Sequence, residues 1–243
     1  MPKARRRKIL RKTFYVILAV LVLGIGYSFF YPNISRLKKE APGATAFMKY
    51  RQKTSKRAGK NTEVAATWVP LDRISPYLVQ AVVISEDDKF WDHKGFDFAA
   101  IKTALEKDIK KKTWRYGGST ITQQLAKNLF LSPSRNPLRK LREIILTRRL
   151  ESALTKKRIL ELYLNVVEWG NGIFGAEAAS RHYYGLPASN LNPQQAARMA
   201  VVLPSPRRYN PLSGTKYIED RAREVLGIMV KRGIVTPAEA ENQ

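Results

Sequence analysis

The sequence predicts a mainly α-helical domain behind one N-terminal membrane-spanning helix. A run of 18 residues, from Phe14 to Tyr31, carries no charge. Beyond this run, no series of alternating apolar and polar residues indicates a sheet, and no internal repeat is visible. Four dipeptides instead place a helix-capping residue before proline, which is favoured at the first helical position; they are Ser75-Pro76, Asn136-Pro137, Asn192-Pro193 and Thr236-Pro237.

The composition indicates a folded protein with an anionic partner. Hydrophobic residues make up 44% of the 243 positions, which argues against global disorder. Lys and Arg number 44 against 20 acidic residues, giving a net charge of +24. A nucleic acid, a membrane surface or a phosphate-bearing substrate would each match that charge. The chain has no cysteine, which excludes disulfides and thiolate metal sites but is compatible with any compartment.

The N-terminus predicts an anchor that exports the rest of the chain. Residues 3–12 hold seven basic residues and no acid, and the uncharged run after them would span ~27 Å as a helix, close to a bilayer's thickness. A basic flank stays cytoplasmic, so we expect a basic tail over residues 1–13 and an anchor over 14–31. The alternative is a cleaved signal peptide, since Gly24-Ile25-Gly26 offers small residues. Aromatic residues at the end of the run favour the anchor, and both alternatives export the rest.

Two further segments complete the expected organisation. Residues 36–60 carry nine basic residues and one acid, within an expected juxtamembrane linker over 32–64. This stretch either binds anionic headgroups or is a solvated linker. Residues 65–243 form the predicted helical domain, in which Thr155 begins a helix and Gly185 and Gly233 stand where helix C-caps belong.

The first cluster with catalytic potential follows an apolar helical face. It runs from Ser85 to Gly95, and a carboxylate such as Glu86 would be half desolvated there, which raises its pKa and makes it a better base. The simpler interpretation is a solvated helix end, which we expect for most of Asp87, Asp88 and Asp92. His93 has no nearby histidine or cysteine and is expected to be a hydrogen-bonding structural residue, rather than a metal ligand.

Two more segments offer groups that suit a sugar phosphate. In the segment from Gly117 to Asn128, the glycine pair leads into a hydroxyl-rich helix N-terminus, which is a natural anion site. A polar helical face is the simpler interpretation. No P-loop pattern is present. The segment from Arg135 to Glu143 is rich in guanidinium groups suited to phosphate, while Arg139 and Glu143 are also spaced for an ordinary helical ion pair.

Together these segments resemble the peptidoglycan glycosyltransferases, also called family 51 glycosyltransferases. The resemblance covers roughly residues 65–212 and consists of five segments in order. The family signatures EDxxFxxHxG, GxSTITQQxxKN and RKxxE are matched at 86–95, 117–128 and 139–143, and two further stretches match at 157–183 and 203–211. A twelve-residue match such as GGSTITQQLAKN is highly specific.

The chain departs from the family pattern in two places. Tyr183-Tyr184-Gly185-Leu186 stands where the family often has Tyr-Phe-Gly-Lys, so no role passes to a lysine there. Bifunctional members also carry a transpeptidase domain, whereas this chain ends at Gln243, which favours the monofunctional kind. The match of Ser35 to Lys38 with SxxK lacks the SDN and KTG partners and is interpreted as chance.

The resemblance implies a lysozyme-like helical fold, a small lobe touching the bilayer, and a mechanism. A lipid-linked glycan is transferred to the 4-hydroxyl of a lipid-linked disaccharide (lipid II), with inversion and loss of polyprenyl pyrophosphate. Glu86 matches the family's base, and Glu143 a second glutamate that orients cations or a divalent ion such as Mg²⁺ or Mn²⁺. Lys127, Arg135 and Arg139 match the donor-phosphate residues, and the cleft is lined by Ser119, Gln123, Gln124 and Lys140.

The resemblance also sets expectations for location and partners. It implies a single-pass protein of the bacterial cytoplasmic (inner) membrane with its catalytic domain on the periplasmic side, in contact with membrane lipids and with other cell-wall synthesis or division proteins. An exported muramidase is the enzymatic alternative, but its sugar leaving group needs no cationic cluster. A membrane-tethered nucleic-acid binder explains only the charge, and no nucleic-acid motif is present.

Overall fold

A computed structural model describes residues 3–59, 64–111, 118–133 and 136–241 of the chain. Arg135 and Gly117, both singled out from the sequence, lie outside the described residues. Within these ranges the protein is mainly α-helical, as predicted. The helices are α1 (Lys3–Phe30), α2 (Ala46–Arg57), α3 (Pro76–Glu86), α4 (Phe98–Lys111), α5 (Ile121–Phe130), α6 (Pro137–Ala153), α7 (Lys156–Val166), α8 (Ala176–Tyr184), α9 (Pro193–Ala200), α10 (Lys216–Lys231) and α11 (Pro237–Glu241).

The predicted helix boundaries are confirmed by their capping contacts. Asn136 and Asn192 accept backbone hydrogen bonds from the first turns of α6 and α9, and Thr155 does the same for α7. Gly185 adopts the left-handed conformation that ends α8. Ser75 precedes α3 as expected, but its hydroxyl donates to the carbonyl of Leu191 and makes no capping bond.

The core is built around two helices that also carry the site. Helix α5 packs against α2, α6 and α7, while α3 packs against α9 and α10. Leu78 of α3 and Leu125 of α5 are fully buried, and each contributes roughly 1.5–3 kcal/mol through burial. Because both helices are fixed along their length by apolar packing, the polar residues at their ends have defined positions.

Three short strands form a small sheet of order β1-β3-β2, with β1 (Ala65–Ala66), β2 (Glu168–Gly170) and β3 (Ile173–Phe174). Strand β1 is parallel to β3, and β2 is antiparallel to it. The chain leaves β3 through Gly175, whose φ is 84° and whose Cβ position would lie 2.7 Å from the carbonyl oxygen of Asn165. Only glycine fits this close approach at positive φ.

The predicted juxtamembrane linker differs from what the structure contains. Its second half forms α2, which packs on α5 and buries Met48. Arg51 of α2 donates to the buried carboxylate of Glu168 at 2.6 Å. The basic residues expected to form a solvated or lipid-binding stretch therefore include one that pairs inside the domain.

Helix α1 contains the predicted anchor. Its segment Arg7–Ser28 has a mean hydropathy of 1.9 and is long and apolar enough to cross a membrane. The C-terminal end of α1 lies against α6, where Arg142 and Arg149 hydrogen-bond to Ser28. This apolar helix is thus attached directly to the domain through α6.

Candidate active site

Glu86 is the last residue of α3, and its carboxylate has two differently placed oxygens. Oε2 accepts a hydrogen bond from Nε2 of Gln124 at 2.8 Å. Oε1 is buried and has no hydrogen-bond partner among the described residues. An unpaired buried acceptor is costly, so natural proteins retain one mainly where it has a function. The hydrogen-bonding capacity of Oε1 is therefore unused among the described residues.

The adjacent Asp87 joins the end of α3 to the start of α5. Its Oδ2 accepts the backbone N–H of Ile121 at 2.9 Å, and its Oδ1 lies 2.8 Å from Nε2 of His93. Gly95 donates its N–H to Nδ1 of the same ring, so Nε2 carries the proton and donates to Asp87. The expectation of a structural His93 is confirmed, whereas Asp87 is buried and does not belong to a solvated helix end.

Gln124 is held in one orientation by the buried residue Tyr163. The Tyr163 hydroxyl donates to Oε1 of Gln124 at 3.0 Å, so the amide NH₂ faces Glu86. Burial raises the pKa of Tyr163 well above its ordinary value, and the nearby carboxylates of Glu86 and Asp87 raise it further. The hydroxyl therefore keeps its proton. The direction of the two hydrogen bonds is then fixed, with Tyr163 donating to Gln124 and Gln124 donating to Glu86. No sequence pattern indicated this role, because Tyr163 fits the apolar face of α7.

Burial is the main reason that the pKa of Glu86 is raised above its ordinary value. The hydrogen bond from Gln124 and the charge of Lys127 lower it, and the charge of Asp87 raises it. The sequence predicts burial and repulsion from both aspartates, but Asp88 points its carboxylate to Arg232, with contacts of 2.6 and 2.8 Å. The raised pKa suits a general base near neutral pH.

A cluster of basic side chains surrounds the second glutamate. Glu143 on α6 is buried and accepts hydrogen bonds from Arg139, at 2.7 Å, and from Lys140. Burial lowers the pKa of Lys127 on α5, Glu143 and Glu86 oppose that change, and the charges of Arg139 and Lys140 reinforce it. Lys127 thus lies within the electrostatic reach of both glutamates, and three cations share the charge of Glu143.

The remaining site residues predicted from the sequence fall in different places. Ser119 is exposed just before α5. Gln123 is buried, and its Oε1 accepts a hydrogen bond from the backbone N–H of Thr120 at 3.0 Å, which forms a capping box. Gln123 therefore stabilises the start of α5. It was expected to line the cleft, but it is not among the described residues that do so. Arg135 lies outside the described residues.

A cleft of about 450 Å³ opens beside Glu86, between the end of α3 and helix α4. Glu86 and Ser119 both line it, together with Lys89 and Lys107. Gln124, Lys127 and the cations of α6 are not among the described residues that line this cleft. Glu86 therefore borders a cleft of sugar size and lies within the electrostatic reach of Lys127.

Helix α10 adds charge near Glu86 from beyond the matched segments. The Arg221 guanidinium is among the groups that lower the pKa of Glu86. Tyr217, one turn earlier, has a raised pKa from burial and stacks on Tyr209 with ring centroids 4.2 Å apart. No sequence signature indicated that α10, which packs on α3, approaches the candidate base.

Comparison with known proteins identifies the family. Residues 52–230 match the family model described as "Transglycosylase". The chain belongs to the transglycosylase family. It is 49% identical over 193 residues to a protein of Nitrosospira multiformis, covering 79% of this chain and 84% of that protein. It is 55% identical over 175 residues to one of Azoarcus sp. (72% and 76% covered), and 44% identical over 231 residues to one of Bordetella avium (93% and 96% covered).

All three relatives are named "Biosynthetic peptidoglycan transglycosylase". Membership of the transglycosylase family confirms the resemblance found from the motifs, the lysozyme-like helical fold and the expectation of an enzyme. The matched region begins at residue 52, inside α2. Part of helix α2 therefore belongs to the family domain, in agreement with its packing on α5.

The described residues of this transglycosylase do not form a metal cage of their own. Among the described residues, no three His, Cys, Asp or Glu side chains come together. Both carboxylate oxygens of Glu143 accept hydrogen bonds from basic side chains. Since Mg²⁺ and Mn²⁺ prefer several oxygen ligands, the residues present do not fit a resident divalent ion, and we derive no step through one.

Proposed function

We propose that this transglycosylase polymerises lipid II into glycan strands at the outer face of the bacterial cytoplasmic membrane. The observation that carries the proposal is the carboxylate of Glu86, with one oxygen held by Gln124 and the other buried and unpartnered among the described residues, within the electrostatic reach of Lys127. This arrangement offers a proton acceptor and a site for departing negative charge within one region. Family membership and the names of the relatives support the same reaction.

Glu86 acts as the general base. The incoming disaccharide occupies the cleft beside α4, and its 4-hydroxyl donates to Oε1 of Glu86. As the hydroxyl oxygen attacks the anomeric carbon of the donor, its proton passes to Glu86, and the bond to pyrophosphate breaks on the opposite face. Gln124 holds the other carboxylate oxygen, so the base cannot rotate away from the hydroxyl. Configuration at the anomeric carbon inverts because attack and departure occur on opposite faces.

The cations of α5 and α6 stabilise the leaving pyrophosphate. Lys127 and Arg139 bear charge where the negative charge of the leaving group grows, and Arg135 joins them in this proposal. Preorganised charges of this kind commonly account for several kcal/mol of transition-state stabilisation. Glu143 keeps Arg139 and Lys140 in place through direct hydrogen bonds, and so positions the cations instead of accepting a proton.

Helix α1 supports a reaction at the membrane. One N-terminal helix could span a bilayer, and the family acts in bacterial cell-wall synthesis. We propose that residues 1–13 lie in the cytoplasm and that the domain lies outside, where lipid-linked substrates present their pyrophosphate groups. Membrane lipids and other cell-wall synthesis or division proteins are the proposed partners there.

The decisive experiment gives lipid II to the detergent-solubilised full-length protein and measures glycan polymer. We expect polymer from the native protein and a loss of ~10²-fold or more for Glu86→Gln, which keeps the shape but cannot accept a proton. Lys127→Ala should lose ~10²-fold or more because it removes a charge facing the leaving group. Asp88→Asn is the matched control: Asp88 also lines the cleft, but its carboxylate is paired with Arg232, so this variant should lose far less activity. Release of sugar from insoluble sacculi without polymer formation would replace the proposal with a lytic activity.

A further inference from the structure

A second concave surface lies where the end of α1 meets α6, and it shares no lining residue with the cleft beside Glu86. It is an open groove of about 840 Å³. Its apolar lining includes Phe30, Phe96 and Ile144, and its polar lining includes Lys38, Arg148 and Ser152. Among the described residues that line the groove, none is acidic. A groove that is apolar on one part and cationic on another matches an amphiphile with a negative head.

The contacts of Arg149 fix this groove at the end of the membrane-spanning segment. Its guanidinium donates to the carbonyl oxygens of Ser28, at 3.0 Å, of Phe30, at 3.3 Å, and of Pro32, at 2.8 Å. The last carbonyls of a helix have no partner within it and carry partial negative charge, so an arginine there is doubly favourable. The groove therefore begins where the apolar segment Arg7–Ser28 ends, at the level expected for headgroups.

The two other cations of the groove remain available to a ligand. Lys38 and Arg148 are both exposed, and neither takes part in an ion pair among the described residues. Ile144 has 41% of its surface exposed and Phe30 has 84%, which is costly for apolar side chains in water. A lipid would stabilise both features, because its acyl chain covers the exposed apolar surface and its phosphate pairs with the cations.

We propose that the groove between the end of α1 and α6 binds one anionic phospholipid of the surrounding bilayer. The phosphate lies between Lys38 and Arg148, and an acyl chain runs over Ile144 and Phe30. This inference rests on the proposed membrane placement of α1. It goes beyond the proposed function because the groove lies apart from Glu86 and needs neither lipid II nor turnover. The bound lipid would hold the domain at a fixed depth.

The test measures binding of fluorescent phosphatidylglycerol to the full-length protein in neutral detergent, with phosphatidylcholine as the comparison lipid. We expect phosphatidylglycerol to bind more tightly, and Lys38→Gln and Arg148→Gln each to weaken it about fivefold, the equivalent of roughly 1 kcal/mol per basic residue. Lys39→Gln is the matched control, because Lys39 is exposed and adjacent but does not line the groove. It should leave binding unchanged.

Two further arms distinguish a lipid site from diffuse charge attraction and from a simple anion site. Glycerol phosphate, the headgroup without chains, should compete far more weakly than the lipid, and Ile144→Asn should weaken lipid binding. Equal loss in Lys38→Gln and Lys39→Gln would overturn the proposal in favour of diffuse attraction, and equal competition by glycerol phosphate would reduce the groove to an anion site. Glu86→Gln should bind the lipid normally, so a failed polymerisation assay and a failed lipid site are distinguishable.

Discussion

At the scale of single residues, the unequal partners of the Glu86 carboxylate connect the structure to the chemistry. Gln124 donates to one oxygen, and the other is buried without a partner among the described residues. Burial removes water from the charged form of Glu86, and the hydrogen bond from Gln124 offsets only part of that cost. The pKa of Glu86 is therefore raised. The same imbalance that makes Glu86 a good base makes its ionised form costly to the folded state.

We expect Tyr163→Phe to move the acid limb of the activity profile to higher pH. Without the Tyr163 hydroxyl, nothing fixes the Gln124 amide with its NH₂ toward Glu86, and the hydrogen bond that lowers the pKa of Glu86 weakens. The pKa of Glu86 then rises, so the base becomes protonated at a higher pH. Activity at neutral pH should fall roughly two- to tenfold, the equivalent of one neutral hydrogen bond. Polymer formation measured across pH tests this expectation.

Tyr183→Phe provides the control for this variant. The Tyr183 hydroxyl donates to the carbonyl oxygen of Trp169 at 3.2 Å and does not contact Gln124. It should leave the acid limb where it is. If the limb stays in place in Tyr163→Phe as well, the Tyr163 hydroxyl does not control the base.

We expect Glu86→Gln to be more stable than the native protein at neutral pH. The pKa of Glu86 is raised from 4.5 on folding, so the unfolded chain releases this proton first as the pH rises. Stability therefore falls from about pH 4.5 up to the folded-state pKa and stays reduced above it. Gln124 would keep a partner in the glutamine, while the cost of a buried charge disappears.

The measurement is thermal unfolding of both proteins in detergent from acid to neutral pH. Each kcal/mol gained should raise Tm by roughly 2–4 °C for a domain of this size. The difference should disappear below about pH 4.5, where the native carboxyl is also protonated. A variant that is less stable at every pH would show that Glu86 contributes to folding and carries no cost of burial.

At the scale of elements, the site depends on one carboxylate that links two helices. Asp87 accepts one hydrogen bond from the backbone N–H of Ile121, at the start of α5, and another from Nε2 of His93, which follows α3. The start of a helix has unpaired N–H groups and partial positive charge, so a buried carboxylate there stabilises α5. This link holds Gln124 and Lys127 at a fixed distance from Glu86, because both lie on α5 and Glu86 ends α3.

Asp87→Asn should therefore destabilise the domain far more than Asp88→Asn. Asparagine has only one acceptor oxygen, so its NH₂ group must face one of the two donors, Ile121 N–H or His93 Nε2. That donor is then buried without an acceptor, which costs about 1–3 kcal/mol. Asp88 forms a bidentate pair with Arg232, but both side chains are about half exposed, and such pairs contribute about 0–1 kcal/mol. Thermal unfolding and polymerisation should both separate the two variants. Equal, small losses would show that the link through Asp87 does not position α5.

Elements with local signals were predictable from the sequence, whereas those that depend on distant contacts were not. Proline after a capping residue marks the start of α6 and α9 because caps act within one turn. At α3 the proline alone marks the start, since Ser75 makes no capping bond. Helix α2 was not predicted because its charged residues look solvated, and only packing of Met48 and the pairing of Arg51 with Glu168 reveal its place. The same limit applies to the site: motifs indicated Glu86 and Glu143, but not the link through Tyr163 or the capping role of Gln123.

At the scale of the whole molecule, the basic residues behind the net charge of +24 lie in several separate places and make different contacts. Arg139 and Lys140 neutralise a buried carboxylate at the site, and Arg149 binds the carbonyls that end α1. Seven of the basic residues stand in the short tail before the apolar run. Basic charge before an apolar run is the pattern expected of a segment that stays cytoplasmic while the helix after it crosses a membrane.

We expect protease added to intact spheroplasts to digest the large domain and to leave an N-terminal tag protected. The basic tail is held on the cytoplasmic side, and the uncharged run from Phe14 to Tyr31 is long enough to cross the bilayer once. Everything after α1 then lies outside. Arg149 reinforces this arrangement because its bonds to the end of α1 keep α6 at the outer surface. A cytoplasmic marker protein that stays intact is the control, and detergent should expose the tag. A protected domain would reverse the orientation, and a mature N-terminus near residue 27 would show that α1 is cleaved.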